Sequence, residues 1–130
     1  MEQRHILIAD DTETKRASLR QTVNGACPNS IIHEAGSVKE TLGIIGQLGD
    51  RIDTALFDFD FEAEHETGDK LIRAHREKNK HALILCVTAR PEGESFDDCT
   101  TLTTPAGANE NLCFLRPDCS DRVQSLIRMT

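Results

Sequence analysis

Four short apolar runs, each stopping abruptly on polar residues, constrain this chain more than any other feature. His5-Ile-Leu-Ile-Ala stops at Asp10-Asp11, and Asp53-Thr-Ala-Leu-Phe stops at Asp58. Ala82-Leu-Ile-Leu-Cys-Val stops at Thr88, and Leu112-Cys-Phe-Leu stops at Arg116-Pro117. Such runs read as buried strands, far short of the ~20 apolar residues that a membrane span requires. As neighbouring parallel strands they would gather three acids, a hydroxyl and one cation at their carboxyl ends, where open parallel sheets bind ligands. Carboxylates held close together raise one another's pKa unless a cation joins them. A hard divalent ion such as Mg2+, taking carboxylate oxygen and water, relieves that repulsion.

Composition narrows the partners. The chain of 130 residues is expected to form one domain, 1–130, large enough for a packed core. A net charge of −7 opposes nucleic acid or an anionic membrane as partner, since both favour a basic face. The start, Met1-Glu-Gln-Arg-His, lacks the apolar core of a secretory signal. Cys27, Cys86, Cys99, Cys113 and Cys119 contain no Cys-x-x-Cys pair, and Cys86 and Cys113 lie in apolar runs as small hydrophobes. A reduced, cytoplasmic protein is expected.

Strands and helices alternate along the chain. After the acidic pair, Thr12 or Thr14 can cap a helix carrying Ala17, Leu19 and Val23 and closing near Gly25. Ser30-Ile-Ile-His-Glu reads as a second strand. Ser37 and Glu40 have capping-box spacing before a helix through Val38, Leu42, Ile45 and Leu48, which glycines at 43, 46 and 49 weaken. Thr67-Gly68-Asp69 leads a helix with Leu71, Ile72 and His75 on one side. Residues 91–111 carry only a poor helix or a long loop, and Ser120 caps a last helix with Val123, Leu126 and Ile127. Strand then helix, repeated, implies an α/β fold with a doubly wound, five-stranded parallel sheet and helices on both faces.

Taken in order, Asp10-Asp11, Asp58, Thr88-Ala89 and the cation-Pro pair at 116–117 resemble the receiver domain of two-component response regulators. The resemblance spans nearly the whole chain and implies a flavodoxin-like fold with strand order 2-1-3-4-5. It implies that Asp58 accepts a phosphoryl group from a phosphohistidine donor or a small acyl phosphate. Mg2+ would be held by Asp11, by Asp10 behind it (partly through water), by Asp58 and by the backbone carbonyl of Asp60. Thr88 would hydrogen-bond a phosphoryl oxygen and draw its loop inward, with small Ala89 permitting close approach. Arg116 would supply the cation, and Pro117 would follow a cis peptide bond that aims it. The implied partners are a histidine kinase or phosphotransfer protein and a downstream protein, with no nucleic acid and no membrane. The chain would be a stand-alone signalling acceptor without an output domain, not an enzyme.

The chain departs from the family pattern at several places. Arg116 stands where lysine is usual, and the larger, planar guanidinium is not an equivalent cation. It could pair permanently with Asp58 and mimic the activated state, or slow phosphorylation. Cys113 replaces the usual switch aromatic, Phe61-Glu62 replace Met-Pro, Gly68 comes late, and the Thr88–Arg116 interval is long. Acid recurs at Asp58, Asp60, Glu62, Glu64 and Glu66. An extended ribbon would aim them all one way, whereas a solvated acidic loop is the reading favoured here. Asp60 is further expected to assist dephosphorylation as a general acid-base group.

Two other functions fit parts of the pattern. Phe57-Asp58-Phe59-Asp60 resembles the first motif of haloacid-dehalogenase-type phosphatases, with Thr88 imitating their second. Those enzymes normally begin with that motif and carry a lysine and an acidic pair well downstream; the pair here, Asp97-Asp98, sits in the irregular stretch. A phosphorylation-independent binding module on a receiver fold is favoured by Arg116, Cys113 and the long 91–111 stretch. His5, His33, His65, His75 and His81 lack metal-ligand spacing and are read as surface or core residues. The basic Lys70–Lys80 stretch is read as a solvated helix face.

Overall fold

Strict alternation along strands that are apolar on both sides decides the architecture. The computed structural model describes residues 3–61, 64–87, 112–115 and 120–129, without the side chains of Thr67 and 112–115. In chain order the elements are β1 His5–Ala9, α1 Glu13–Ala26, β2 Ile31–Ala35, α2 Val38–Leu48, β3 Ile52–Phe57, β4 Asp60–Phe61, β5 Glu66–Thr67, α3 Asp69–Lys78, β6 Leu83–Val87, β7 Leu112–Leu115 and α4 Ser120–Arg128. The main sheet runs β2-β1-β3-β6-β7 and is parallel throughout. With the small β4–β5 hairpin set aside, this is the expected order 2-1-3-4-5. The stretch 91–111 lies outside the described residues.

Each central strand feeds two cores. Leu7, Ala9, Ala55, Phe57, Ile84 and Cys86 point to one face, where Val38 and Ile45 of α2 and Leu71 and Ile72 of α3 cover them. Ile6, Ile8, Leu56, Leu83, Leu85 and Val87 point to the other, against Val23 of α1 and Val123 and Ile127 of α4. A period of two, apolar on both phases, is what a strand covered on both sides requires. At the amino-terminal edge the β1–β3 register shifts between His5 and Ile6. Arg4 fastens that edge, with its guanidinium 3.2 Å from Asp53 Oδ1 and donating to Thr54 Oγ1 and the Ile127 carbonyl.

Local signals are met with some differences. Ser37 Oγ accepts from the Glu40 amide at 3.0 Å, as the capping box requires, but the Glu40 carboxylate takes the Gly36 amide at 2.9 Å. Thr12 occupies the N-cap of α1 without a side-chain cap bond, and its amide instead donates to Asp10 Oδ1 at 2.9 Å. Helix α1 runs through Gly25 to Ala26, and Gln124 and Arg128 of α4 donate to the carbonyls of Thr22 and Gly25.

The acidic stretch after β3 forms neither a one-sided ribbon nor a uniformly solvated loop. β4 and β5 pair antiparallel, Asp60 opposite Thr67 and Phe61 opposite Glu66. Phe59 and Phe61 are buried in the α2–α3 core, so the apolar phase of the alternation fixes the segment. The acids go separate ways: Glu64 accepts from the Val38 amide at the start of α2 at 2.6 Å, and Glu66 pairs with Lys70 at 3.2 Å. Glu62 lies outside the described residues. Nor is the basic stretch wholly solvated, since Arg76 is half-buried and donates to the Ala82 carbonyl at 2.6 Å.

His75 sits fully in the core. Its Nε2 lies 3.1 Å from the Ile52 carbonyl, which can only accept, so the ring carries its proton on Nε2. Buried Nδ1 has no partner among the described residues, so a second proton would be stranded away from water. Burial accordingly lowers its pKa from 6.5 to about 4. Stability from this residue is complete above pH 6.5 and is lost as pH falls toward 4, by about 3 kcal/mol. His75→Gln keeps a donor but cannot titrate. The stability of the native chain relative to His75→Gln is therefore expected to fall across pH 6.5–4 in chemical denaturation, and a pH-independent difference would refute the assignment.

Candidate functional site

Backbone ladders bring the acids together. Where β1 ends, the Asp10 amide donates to the Ala35 carbonyl of β2 at 3.1 Å. Where β3 ends, the Asp58 amide donates to the Ala9 carbonyl of β1 at 2.8 Å. Both residues thus extend the sheet by one step, and their side chains meet at its carboxyl edge. Carboxylate oxygens of Asp10, Asp11 and Asp58 all lie within 4.8 Å of one another. Asp10 and Asp58 are only 2% and 4% exposed, while Asp11 is half-buried.

This placement is electrostatically unfavourable for the protein alone. Burial raises the Asp58 pKa from its ordinary 3.8 to about 7, and the Asp10 charge adds to the effect. Burial raises Asp10 as well, against the opposing pull of the Thr12 amide and of Lys15. The donor set, hard oxygen throughout and short of positive charge, fits a divalent cation such as Mg2+ or Ca2+. It does not suit a metal that prefers nitrogen or sulfur ligands.

Asp60 opens β4, half-buried, and its amide approaches Asp58 Oδ1 at 3.4 Å. Its carboxylate does not belong to the three-acid cluster. Strand β6 ends at Val87 and β7 at Leu115, while Thr88, Ala89, Arg116 and Pro117 lie outside the described residues. Cys113 pairs with Leu85 through the backbone of β7.

Two contributors, Arg16 and Lys15, escape a reading of the motifs, and the late Gly68 acquires a physical reason. Arg16 Nη1 donates to the Asp10 carbonyl at 2.7 Å and its Nε lies 3.8 Å from Glu34, so it ties the acidic turn to β2. Lys15 lies close enough for its charge to act on both Asp10 and Asp58. Gly68 donates to the Phe59 carbonyl at 2.6 Å, and a Cβ on it would lie 2.5 Å from the Asp58 carbonyl. The late glycine is therefore explained: the hairpin displaces it along the chain, yet the close approach behind Asp58 still forbids a side chain. An i+4 or i+5 basic residue after the acidic pair was the available signal for Lys15 and Arg16.

An acid with a raised pKa destabilises the folded chain as pH rises from 3.8 through about 7. Asp58→Asn removes that effect. The variant is expected to exceed the native chain in stability at pH 8 by about 4 kcal/mol, with the gap closing toward pH 4. Millimolar Mg2+ should narrow the gap at pH 8 by stabilising the native chain alone. Denaturation curves with and without Mg2+ decide this, and a gap that is unchanged between pH 4 and 8 would contradict it.

No protein-family profile and no curated protein matches the sequence. Solved structures do match. A response regulator receiver protein from Sinorhizobium medicae aligns with a TM-score of 0.76 at 19% identity, over 98% of this chain and 94% of that one. A CheY-like response regulator receiver domain protein from Methanospirillum hungatei aligns at 0.71 and 17% identity, over 98% and 96%. A response regulator protein from Burkholderia pseudomallei, its crystal structure holding a phosphorylated aspartic acid, a calcium ion and citrate, aligns at 0.72 and 15% identity. That alignment covers 95% of this chain and 66% of the longer one, just under two thirds. Among the described residues, no helix is long and apolar enough to cross a membrane. In strand order, helix placement and overall superposition, the chain has the CheY-like, flavodoxin-like fold of response regulator receiver domains.

Proposed function

We propose that residues 1–130 form a single receiver-like domain that accepts a phosphoryl group on Asp58 within a cytoplasmic two-component phosphorelay. The observation that carries this reading is the convergence of Asp10, Asp11 and Asp58 within 4.8 Å at the carboxyl edge of a receiver-fold sheet. The donor would be a histidine kinase, a phosphotransfer protein or a small acyl phosphate, and the readout a downstream protein.

A carboxylate oxygen of Asp58 would attack phosphorus while the bond from phosphorus to the donor nitrogen or oxygen breaks, its electron pair leaving with the donor. Mg2+ would be held by Asp10, Asp11, Asp58 and the Asp60 backbone carbonyl, and when bound it neutralises charge on the phosphoryl oxygens. Thr88 would donate to a phosphoryl oxygen and Arg116 would face the same group. Asp60 would take a proton from the water that later attacks phosphorus, the electron pair returning to Asp58.

Incubation with Mg2+ and acetyl phosphate, followed by intact-mass measurement, is expected to show one added phosphoryl group, absent in Asp58→Asn. No addition, together with no spectral change on beryllofluoride, would support the phosphorylation-independent binding module that Arg116 and Cys113 favour. Repeated turnover of a generic phosphate ester would instead indicate a phosphatase. For Asp60→Asn the phosphorylated form is expected to persist at least about tenfold longer. Equal lifetimes would remove Asp60 from dephosphorylation.

A further inference from the structure

The basic residues of the first helix are not used alike. Arg16 is committed to the Asp10 carbonyl and Glu34, and Arg20 to Glu34 at 2.6 Å. Lys15, just before them on the first turn of α1, forms no hydrogen bond or ion pair among the described residues and is exposed. It stands one helical turn beyond Asp11. Arg16, its neighbour, pins that turn to the end of β1, which fixes the backbone of Lys15 beside the acidic cluster. Its charge lies within electrostatic reach of both Asp10 and Asp58.

An uncommitted ammonium on a flexible stem at the rim of buried acids has two consequences. It repels a divalent cation that binds those acids, and it attracts any anion that arrives over them. The two effects have opposite sign, which separates them from a structural role.

We propose that Lys15 is a second phosphoryl-binding cation, meeting the oxygens of the incoming phosphoryl group from the α1 side of the site while lowering its affinity for the divalent ion. The inference rests on Asp58 being the phosphoacceptor. It gives the donor's anionic oxygens a partner on the α1 helix, independent of whatever residue 116 supplies.

The test uses Lys15→Met and Lys15→Arg of the full chain, alongside the native protein. Calorimetric titration with MgCl2 is expected to show about fivefold tighter binding for Lys15→Met at low ionic strength, shrinking as salt screens the charge. Labelling by acetyl phosphate at saturating Mg2+ is expected to slow about tenfold for Lys15→Met, chiefly through a higher KM for the anionic donor. Lys15→Arg should restore both values toward native. Unchanged Mg2+ affinity with unchanged labelling, or loss of both together, would overturn the inference while native labelling upholds the phosphoacceptor reading. If the native chain takes no label at Asp58, both fall.

Discussion

Repulsion between two buried carboxylates organises this molecule. Asp10 and Asp58 would separate if they were free to do so, yet each is the next residue of a strand whose amide is already bonded to a neighbouring strand. The ladder that places one fixes the other. Stability for that arrangement comes from elsewhere, from the two apolar faces that β1, β3 and β6 present to helices α1 to α4. A site held in an unfavourable electrostatic state by a well-packed scaffold is the usual arrangement where a charged ligand completes the structure.

The surroundings of the site are held with equal care. Arg16 fixes the turn after β1 from one side, and Gly68 backs against the Asp58 carbonyl from the other. Between them the β4–β5 hairpin is anchored by Phe59 and Phe61 in the core and by Glu64 on the first turn of α2. The chain leaving Asp58 is thus fixed by packing and by a helix cap. Phe61, buried in the core, holds the segment after Asp58 in place.

Much of this was legible in the residues. Both helical layers and the Asp10–Asp11–Asp58 cluster followed from where apolar runs stop, because burial on two faces leaves a strand little alternative. The strand order, in contrast, was implied by the resemblance to receiver domains. The hairpin was hidden by its own regularity. Acid at every second position drew attention to one phase, while Phe57, Phe59 and Phe61 on the opposite phase determined the structure. Contacts such as Glu64 with the Val38 amide join residues distant in the chain and have no local signature. His75 could be placed on the core face by its spacing from Leu71 and Ile72, but its bond to Ile52 depends on how α3 lies against β3.

Charge balance connects the fold to its chemistry. Asp10, Asp11 and Asp58 carry up to three negative charges, and Lys15 returns one, which leaves a deficit that a divalent ion can fill. A carboxyl with a pKa of about 7 is divided between acid and carboxylate at neutral pH, and only the carboxylate can attack phosphorus. Cations near the cluster therefore govern how much of Asp58 is a nucleophile. A phosphoryl group then adds negative charge to the same place, so a charge that merely offset the acids must become a partner for the new oxygens. Lys15, flexible and uncommitted, can make that change of partner. Arg16 cannot make it without releasing the turn that holds Asp10 in position.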